Sequence, residues 1–356
     1  MRTPDALLTA TAIFRYNAHM KRIVLLCAAA CALPLFAKPA ASVPRRFTVL
    51  TWNTQHYGWW DLPKPKQELL ERNMFEVVRA ANPDIFLQQE TYGSFERFCQ
   101  ALPGYKGVLQ SGCNSLFTKF PVVSTNEHWY DRRFTKPLPM WAPNLALAEL
   151  DAGGCHLRVG SYVMFYLPLC VRLPKKATAF ELLELEACEQ TGSATVAMTP
   201  RPQAIRQGLA AIQPILADRD LVPVILGGDF NSLSDLDWTE ANAQAEGHLG
   251  RVVPWPVHRE MRKAGFVDAW RTLYPNEVKD PGNTFPVPDV APDIPRPFIR
   301  LDYVYSAGTR VKPVAAEVIS GAYHKPFEWK GKKFSAFPSD HAALLVTYEI
   351  VQATNF

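Results

Sequence analysis

Residues 222–232 read VPVILGGDFNS, and the rest of the chain is organised around them. Val224, Ile225 and Leu226 form a short, apolar, β-branched-rich run, which predicts a strand buried on both faces. Gly227 and Gly228 follow and predict a sharp backbone turn. Asp229 and Asn231 then come two residues apart, a spacing that puts both on one side at the rim of a sheet. A carboxylate brings charge and acceptor oxygens, whereas an amide brings a donor and an acceptor without charge. Together they can hold a water or a metal ion and hydrogen-bond a phosphate oxygen. The same residue types are common in plain turns, so the stretch needs partners from elsewhere in the chain.

Those partners stand at other strand ends. Residues 47–52 alternate like a strand that ends at Asn53. Residues 66–81 carry Leu70, Met74, Val77, Val78 and Ala81 on one helical stripe, closed by Asn82-Pro83. Residues 84–89 (DIFLQQ) give a second buried strand with Glu90 at its end. This βαβ unit delivers Asn53 and Glu90 to one rim, where α/β proteins place their chemistry. His56, Tyr57, Trp59 and Trp60 follow in a loop; they either plug a core edge or stack on a base or lipid head group.

Residues 115–125 and 142–150 are expected strands, and residues 156–161 lead into Tyr162. Residues 168–202 read as an insertion over the sheet, with a short helix at 180–187. Residues 203–217 repeat the helical stripe, with a kink expected at Pro214. A loop-rich stretch (233–256), a helix (257–264) and a Pro-rich stretch to residue 297 come next. Two strands close the chain: 299–305 (IRLDYVY), with Asp302 in its middle, and 342–350 (AALLVTYEI), preceded directly by Ser339-Asp340-His341. His128, His156, His248, His258 and His324 fall in no recognisable arrangement and are expected to be exposed or structural, whereas His56, three residues past Asn53, invites a test.

The 356 residues are 48% hydrophobic and 20% charged, which suits a soluble protein with a sizeable core. A formal charge of +4 permits a polyanionic partner without demanding one. Met20-Lys21-Arg22, the apolar residues 23–36 and a small residue at Ala37 have the layout of a cleaved signal. The apolar run is too short for a membrane span and contains Pro34. The expected layout is an upstream extension (1–19), a signal peptide (20–37), a linker (38–45) and one catalytic domain (46–352). Export to the periplasm or beyond follows, and lipoprotein anchoring at Cys31 is not expected. Cys99, Cys113, Cys155, Cys170 and Cys188 match no metal spacing and read as mostly buried thiols with room for one bridge.

Taken in order, TWN (51–53), QQE (88–90), GGDFN (227–231), LDYVY (301–305) and SDH (339–341) resemble the endonuclease/exonuclease/phosphatase superfamily, which includes DNase I-like nucleases and abasic-site endonucleases. The resemblance spans about residues 46–350. It implies an α/β (α+β) four-layer sandwich: two packed mixed β-sheets flanked by helices, DNase I-like. It also implies roles by position. Glu90 would be the main ligand of Mg²⁺ or Mn²⁺, beside Asn53 and Asp340. Asp229 would orient or deprotonate the attacking water, and Asn231 would hold a non-bridging phosphate oxygen. Asp302 would fix the tautomer of His341, which would act as general base or as a stabiliser of transition-state charge. One position departs from the commoner pattern, in which the middle strand carries a histidine. This chain has Tyr162, as in the abasic-endonuclease variant, so Tyr162 either donates to the phosphate or is simply buried.

The expected function is metal-dependent hydrolysis of a phosphodiester, with DNA or RNA as the first substrate class. A phospholipid or a small phosphorylated metabolite is the alternative, and a non-catalytic binding module is the alternative of another class. A monomer without a protein partner is expected.

Overall fold

Alternation along the central strands decides which side chains meet. In Arg46–Asn53 (β1), Phe47 and Val49 face one hydrophobic cluster, while Leu50 and Trp52 face another. The first cluster fills the space between two sheets; the second lies under helices. The computed structural model describes residues 45–55, 61–110, 113–125, 147–164, 201–245, 248–290 and 298–351.

The next elements are Lys64–Ala81 (α1), Ile85–Gln89 (β2), Phe95–Ala101 (α2), Lys106–Leu109 (β3), Asn114–Thr118 (β4), Val122–Thr125 (β5), Ala148–Asp151 (β6) and His156–Val163 (β7). Arg201–Ala211 (α3), Gln213–Leu216 (α4), Val224–Asp229 (β8), Pro256–Lys263 (α5), Val267–Asp268 (β9) and Ala269–Leu273 (α6) follow. Asp302–Ala307 (β10), Val311–Ile319 (β11), Phe327–Trp329 (β12), Lys332–Phe334 (β13) and Ala343–Ile350 (β14) complete the chain. One six-stranded sheet runs β11-β14-β1-β2-β4-β3, the other β5-β6-β7-β8-β10-β9. Each mixes parallel and antiparallel pairs. Val49, Ile85, Leu87 and Leu116 meet Leu157, Val159, Ile225 and Val304 between them. Helices α1 and α2 cover Leu50, Trp52, Phe86 and Phe117, and α3 and α5 cover Leu226, Tyr303 and Tyr305. The four-layer sandwich of two packed mixed sheets is thus the observed architecture.

The same alternation aims the site. Asn53, Gln89, Asp229 and Asp302 fall on the inter-sheet faces of their strands, at one end. Asn53 pairs with Gln89 across the parallel β1–β2 ladder, and Asp302 stands directly opposite Asp229 across the antiparallel β10–β8 ladder.

Several expectations need correction. Residues 115–125 are not one strand: Pro121, which has no N–H to give a ladder, separates β4 in one sheet from β5 in the other. Gly227 and Gly228 do not turn the chain; both lie inside β8. They permit close approach, since a Cβ on Gly228 would sit 1.7 Å from the Tyr162 carbonyl oxygen and one on Gly227 2.7 Å from Leu87 of the facing sheet. The turn comes later, at Asn231, whose φ is +45°. Asp302 opens its strand rather than sitting in the middle. β11 and the β12–β13 hairpin add strands to the closing part of the chain. The break between α3 and α4 falls at Ile212, just before Pro214. The signal segment, His56, His128, Cys170, Cys188 and the helix expected at 180–187 lie outside the described residues. Cys99 and Cys155 are free thiols, and Cys113 is buried. Among the described residues no helix is long and apolar enough to cross a membrane.

Candidate active site

Asn53 closes β1 with both amide hydrogens committed: Nδ2 donates to Glu90 Oε1 (3.1 Å) and to Asp229 Oδ2 (3.0 Å). Its Oδ1 accepts from the Gln55 backbone N–H (3.0 Å), and the Gln55 side chain accepts from Asp340 N–H (3.0 Å). Ser339 Oγ donates to the Asn53 carbonyl and accepts from His341 N–H, while the Trp52 indole donates to the His341 carbonyl (2.9 Å). These bonds splice the loop before β14 onto the end of β1.

Glu90 follows β2 in the left-handed backbone region, φ +58°. A non-glycine residue stays there only where its surroundings over-determine it. The surroundings here are a buried polar lattice. Gln88 donates to Thr54 and Ser94 and accepts from Ser115, and Gln89 donates to Ser161 of β7 in the other sheet (2.8 Å). Burial, then the charge of Asp340, push the Glu90 carboxyl up to about 7 against the pull of Asn53.

Asp229 is buried and accepts three hydrogen bonds: Oδ1 from Asn231 N–H (2.8 Å), Oδ2 from Asn231 Nδ2 (2.9 Å) and from Asn53. Burial nevertheless raises it to about 7, against the field of His341. His341 Nδ1 donates to Asp302 Oδ2 (2.9 Å), and its Nε2 lies 3.9 Å from Asp229 Oδ2. Burial alone would lower its pKa; Asp302 and Asp229 outweigh burial and raise it to about 10, so the ring is an imidazolium at neutral pH. Asp302 is itself fixed from behind, because Thr284 Oγ1 accepts from the N–H groups of Leu301 and Asp302.

The chain matches the model of the Endonuclease/Exonuclease/phosphatase family over residues 50–341, from β1 to His341. It belongs to this family. Members of the family are hydrolases of phosphoester bonds, and its enzymes generally depend on divalent metal ions. An uncharacterised Caenorhabditis elegans protein, F14F9.5, is 35% identical over 135 residues, 36% of this chain and 42% of that one. The chain therefore spans about two fifths of the curated relative it matches. Humanised zebrafish TDP2 is similar in structure at 14% identity, covering 85% of this chain and 98% of the other, with a TM-score of 0.49. The human Nocturnin catalytic domain with a bound sulfate anion is similar at 15% identity, covering 87% and 97%, with a TM-score of 0.48.

A family enzyme needs a cradle for a hard cation, and two groups of residues offer one. Asp229, Asp302 and His341 have ligand atoms within 4.8 Å of one another. An imidazolium has no lone pair to give, however, and Asp302 Oδ2 already accepts from it. Glu90 and Asp340, with the second lone pair of Asn53 Oδ1, fit better. Their like charges raise the Glu90 pKa, and a divalent ion between such carboxylates would remove that repulsion.

Two expected roles shift. Both amide hydrogens of Asn231 are engaged, one by Asp229 and one by the Met164 carbonyl (2.9 Å), so it orients Asp229 rather than offering a donor to phosphate. Tyr162 points to the outer face of β7, its ring packed on Phe230 (5.2 Å between centroids), with burial raising its pKa. Among the described residues no hydrogen bond joins it to the carboxylates. Val163 is the β7 residue opposite Asp229.

Thr284 and Gln55 carry no signal in the sequence, Ser339 is named there only within the SDH tripeptide, and His258 is read as structural. That ring is wholly buried: Nε2 bonds the Ser232 carbonyl (3.1 Å) and Nδ1 the Tyr305 hydroxyl (2.5 Å). The Tyr303 hydroxyl donates to the Arg300 carbonyl (2.7 Å) and lies 3.2 Å from the Ser232 carbonyl. Burial lowers the His258 pKa to about 4, so a neutral ring holds the turn that carries Asn231.

Proposed function

We propose that this chain is an exported, divalent-metal-dependent phosphodiesterase that cleaves DNA or RNA. The observation that carries the reading is the imidazole held between Asp302 and Asp229. His341 is fixed at Nδ1, so its Nε2–H is the donor available to a phosphate oxygen, and a buried cation there stabilises charge growing on that oxygen. This assigns His341 to charge stabilisation, since a group held as a cation at neutral pH is a poor base. Asp229, at about 7, is poised to accept the proton of a water attacking phosphorus; Asn53 and Asn231 fix its orientation. Glu90, Asp340 and Asn53 would hold Mg²⁺ or Mn²⁺, which neutralises charge on the phosphate when bound. The net charge of +4 and the nucleases within the family support a polynucleotide substrate, and residues 20–37 support export.

A panel of phosphoesters assayed with Mg²⁺ or Mn²⁺, with EDTA, and with His341→Ala tests this. Polynucleotide cleavage that EDTA and the substitution each abolish is the expected result. Release of phosphate or phosphocholine from a small substrate, with polynucleotide untouched, would move the reading to a lipid or metabolite enzyme. Activity indifferent to both treatments would end it.

A further inference from the structure

The hairpin of β12 and β13 concentrates charge. Residues 323–334 (YHKPFEWKGKKF) hold four lysines and one glutamate, three net positive charges, against +4 for the whole chain. Lys330 pairs with Glu317 and Lys325 with Asp289 (2.7 Å). Lys332 and Lys333 are exposed, and among the described residues no ion pair engages either one. Glu328 stands opposite Lys333 in the hairpin register and is the one acid of the stretch. Lysines and aromatic rings interleave: Lys330 lies over the Trp329 ring (4.6 Å) and Lys332 over Phe334 (5.3 Å). The first turn of α1 adds Lys64 and Lys66 and no acidic residue, and the field of Lys66 reaches His324 beside the hairpin.

This basic feature is rooted at the catalytic loop. Phe327 stacks on Phe334 and meets Phe337, whose ring lies 6.0 Å from that of Trp52, the neighbour of Asn53. Tyr323 is hydrogen-bonded to the Gln55 side chain, which also accepts from Asp340 N–H. Lys332 and Lys333 directly precede Phe334 in β13, eight and seven residues before Asp340 in the chain. Two exposed lysines outside any ion pair among the described residues, on a hairpin with a single acid, match the phosphate track of a flexible single strand.

We infer that the β12–β13 hairpin is a docking arm for the phosphate backbone of a single-stranded polynucleotide, with Lys332 and Lys333 as its phosphate contacts. The inference rests on the polynucleotide reading above and names the surface that recognises the substrate beyond the scissile bond.

The test is binding of a labelled single-stranded oligodeoxynucleotide of about 12 nucleotides to the full chain in EDTA, followed by anisotropy across a salt series. For the double variant Lys332→Gln/Lys333→Gln the slope of log K against log salt should shrink by about 1.4, at about 0.7 per lost phosphate contact. An unchanged melting temperature serves as the folding control. Lys263→Gln/Lys312→Gln, on α5 and at the start of β11, should leave the slope alone. Equal slopes in wild type and the hairpin variant, or an equal loss in the control pair, would overturn the assignment. So would loss of binding to phosphatidylserine vesicles with oligonucleotide binding intact, which would give the arm to a lipid surface. Lysine-dependent binding without cleavage in Mg²⁺ or Mn²⁺ would instead remove the nuclease reading and leave the arm standing.

Discussion

Two buried charged clusters sit on either side of β10, and they are built on opposite rules. On one side Arg300 donates to both oxygens of Asp237 (2.9 and 3.0 Å) and to Asp268 (2.6 Å), while Arg271 donates to Asp237 (2.7 Å) and to three backbone carbonyls. Two guanidiniums face two carboxylates, and the arginines hold Asp237 below the usual carboxylate range despite its burial. On the other side Glu90, Asp229, Asp302 and Asp340 share one imidazole, and burial carries Glu90 and Asp229 up to about 7. The first cluster is locally neutral and satisfied. The second keeps unrelieved repulsion, the condition that marks a candidate site. Satisfied charges hold the fold; frustrated ones leave room for a counter-charge.

That contrast can be broken at either end. Arg300→Met would strand the buried Asp268, leave Asp237 with Arg271 alone, and should lower stability by about 3–5 kcal/mol in a urea titration. A loss below about 1 kcal/mol would mean that the arginine network does not anchor the start of β10. His341→Ala should do the reverse, reducing kcat by roughly 10²–10³-fold, about 2.7–4 kcal/mol of barrier, with far less effect on unfolding. If stability falls as far as for Arg300→Met, the two clusters are not functionally distinct.

Glu90→Gln sharpens the comparison. The folded-state pKa of Glu90 lies above its ordinary 4.5, so the native state holds this proton more tightly than the unfolded chain. Metal-free stability is therefore unpenalised below about 4.5, falls as pH rises to about 7, and stays lower beyond. At pH 8 the variant should be about 1–3 kcal/mol more stable than wild type without metal, converging with it near pH 4, and inactive. A pH-independent difference would refute the account. Because the His341 pKa is raised to about 10, its contribution is full below about 6.5 and lost as pH climbs through 10. Activity should accordingly rise through about 7 with Asp229 and decline near 10 with His341, a bell readable in kcat/KM. The smallest effect is expected for Tyr303→Phe, which removes the hydroxyl that donates to the Arg300 carbonyl and lies 3.2 Å from the Ser232 carbonyl. It should lower stability by about 0.5–1.5 kcal/mol and kcat more than KM.

Much of this was legible before any coordinates. Strand period placed Asn53 and Glu90 at one rim and Asp229 at another strand's end, and the resemblance carried by the five motifs implied that Asp302 and His341 meet. The sequence left Tyr162 open between a phosphate donor and a buried ring; with Leu157 and Val159 between the sheets, the alternation of β7 puts it on the outer face. What could not be read were bonds between a side chain and one particular backbone group far away in the chain. Thr284 under Asp302, Ser339 under Asn53 and His258 under Ser232 are polar residues of ordinary type whose partners only the fold selects. The glycines of β8 were misread because a Gly-Gly pair signals a turn locally, while the reason for it lies in Leu87 and the Tyr162 carbonyl.

The ladder between β1 and β14 has a temporal meaning. Asn53 is made 288 residues before His341, yet the Trp52 indole and the Ser339 hydroxyl couple the two segments directly. A nascent chain stalled at residue 300 already contains Asn53, Glu90 and Asp229, but neither the histidine that would answer the phosphate nor the strand that seats it. A chain stopped before residue 341 therefore cannot assemble the cluster, which is complete only once β14 has paired with β1.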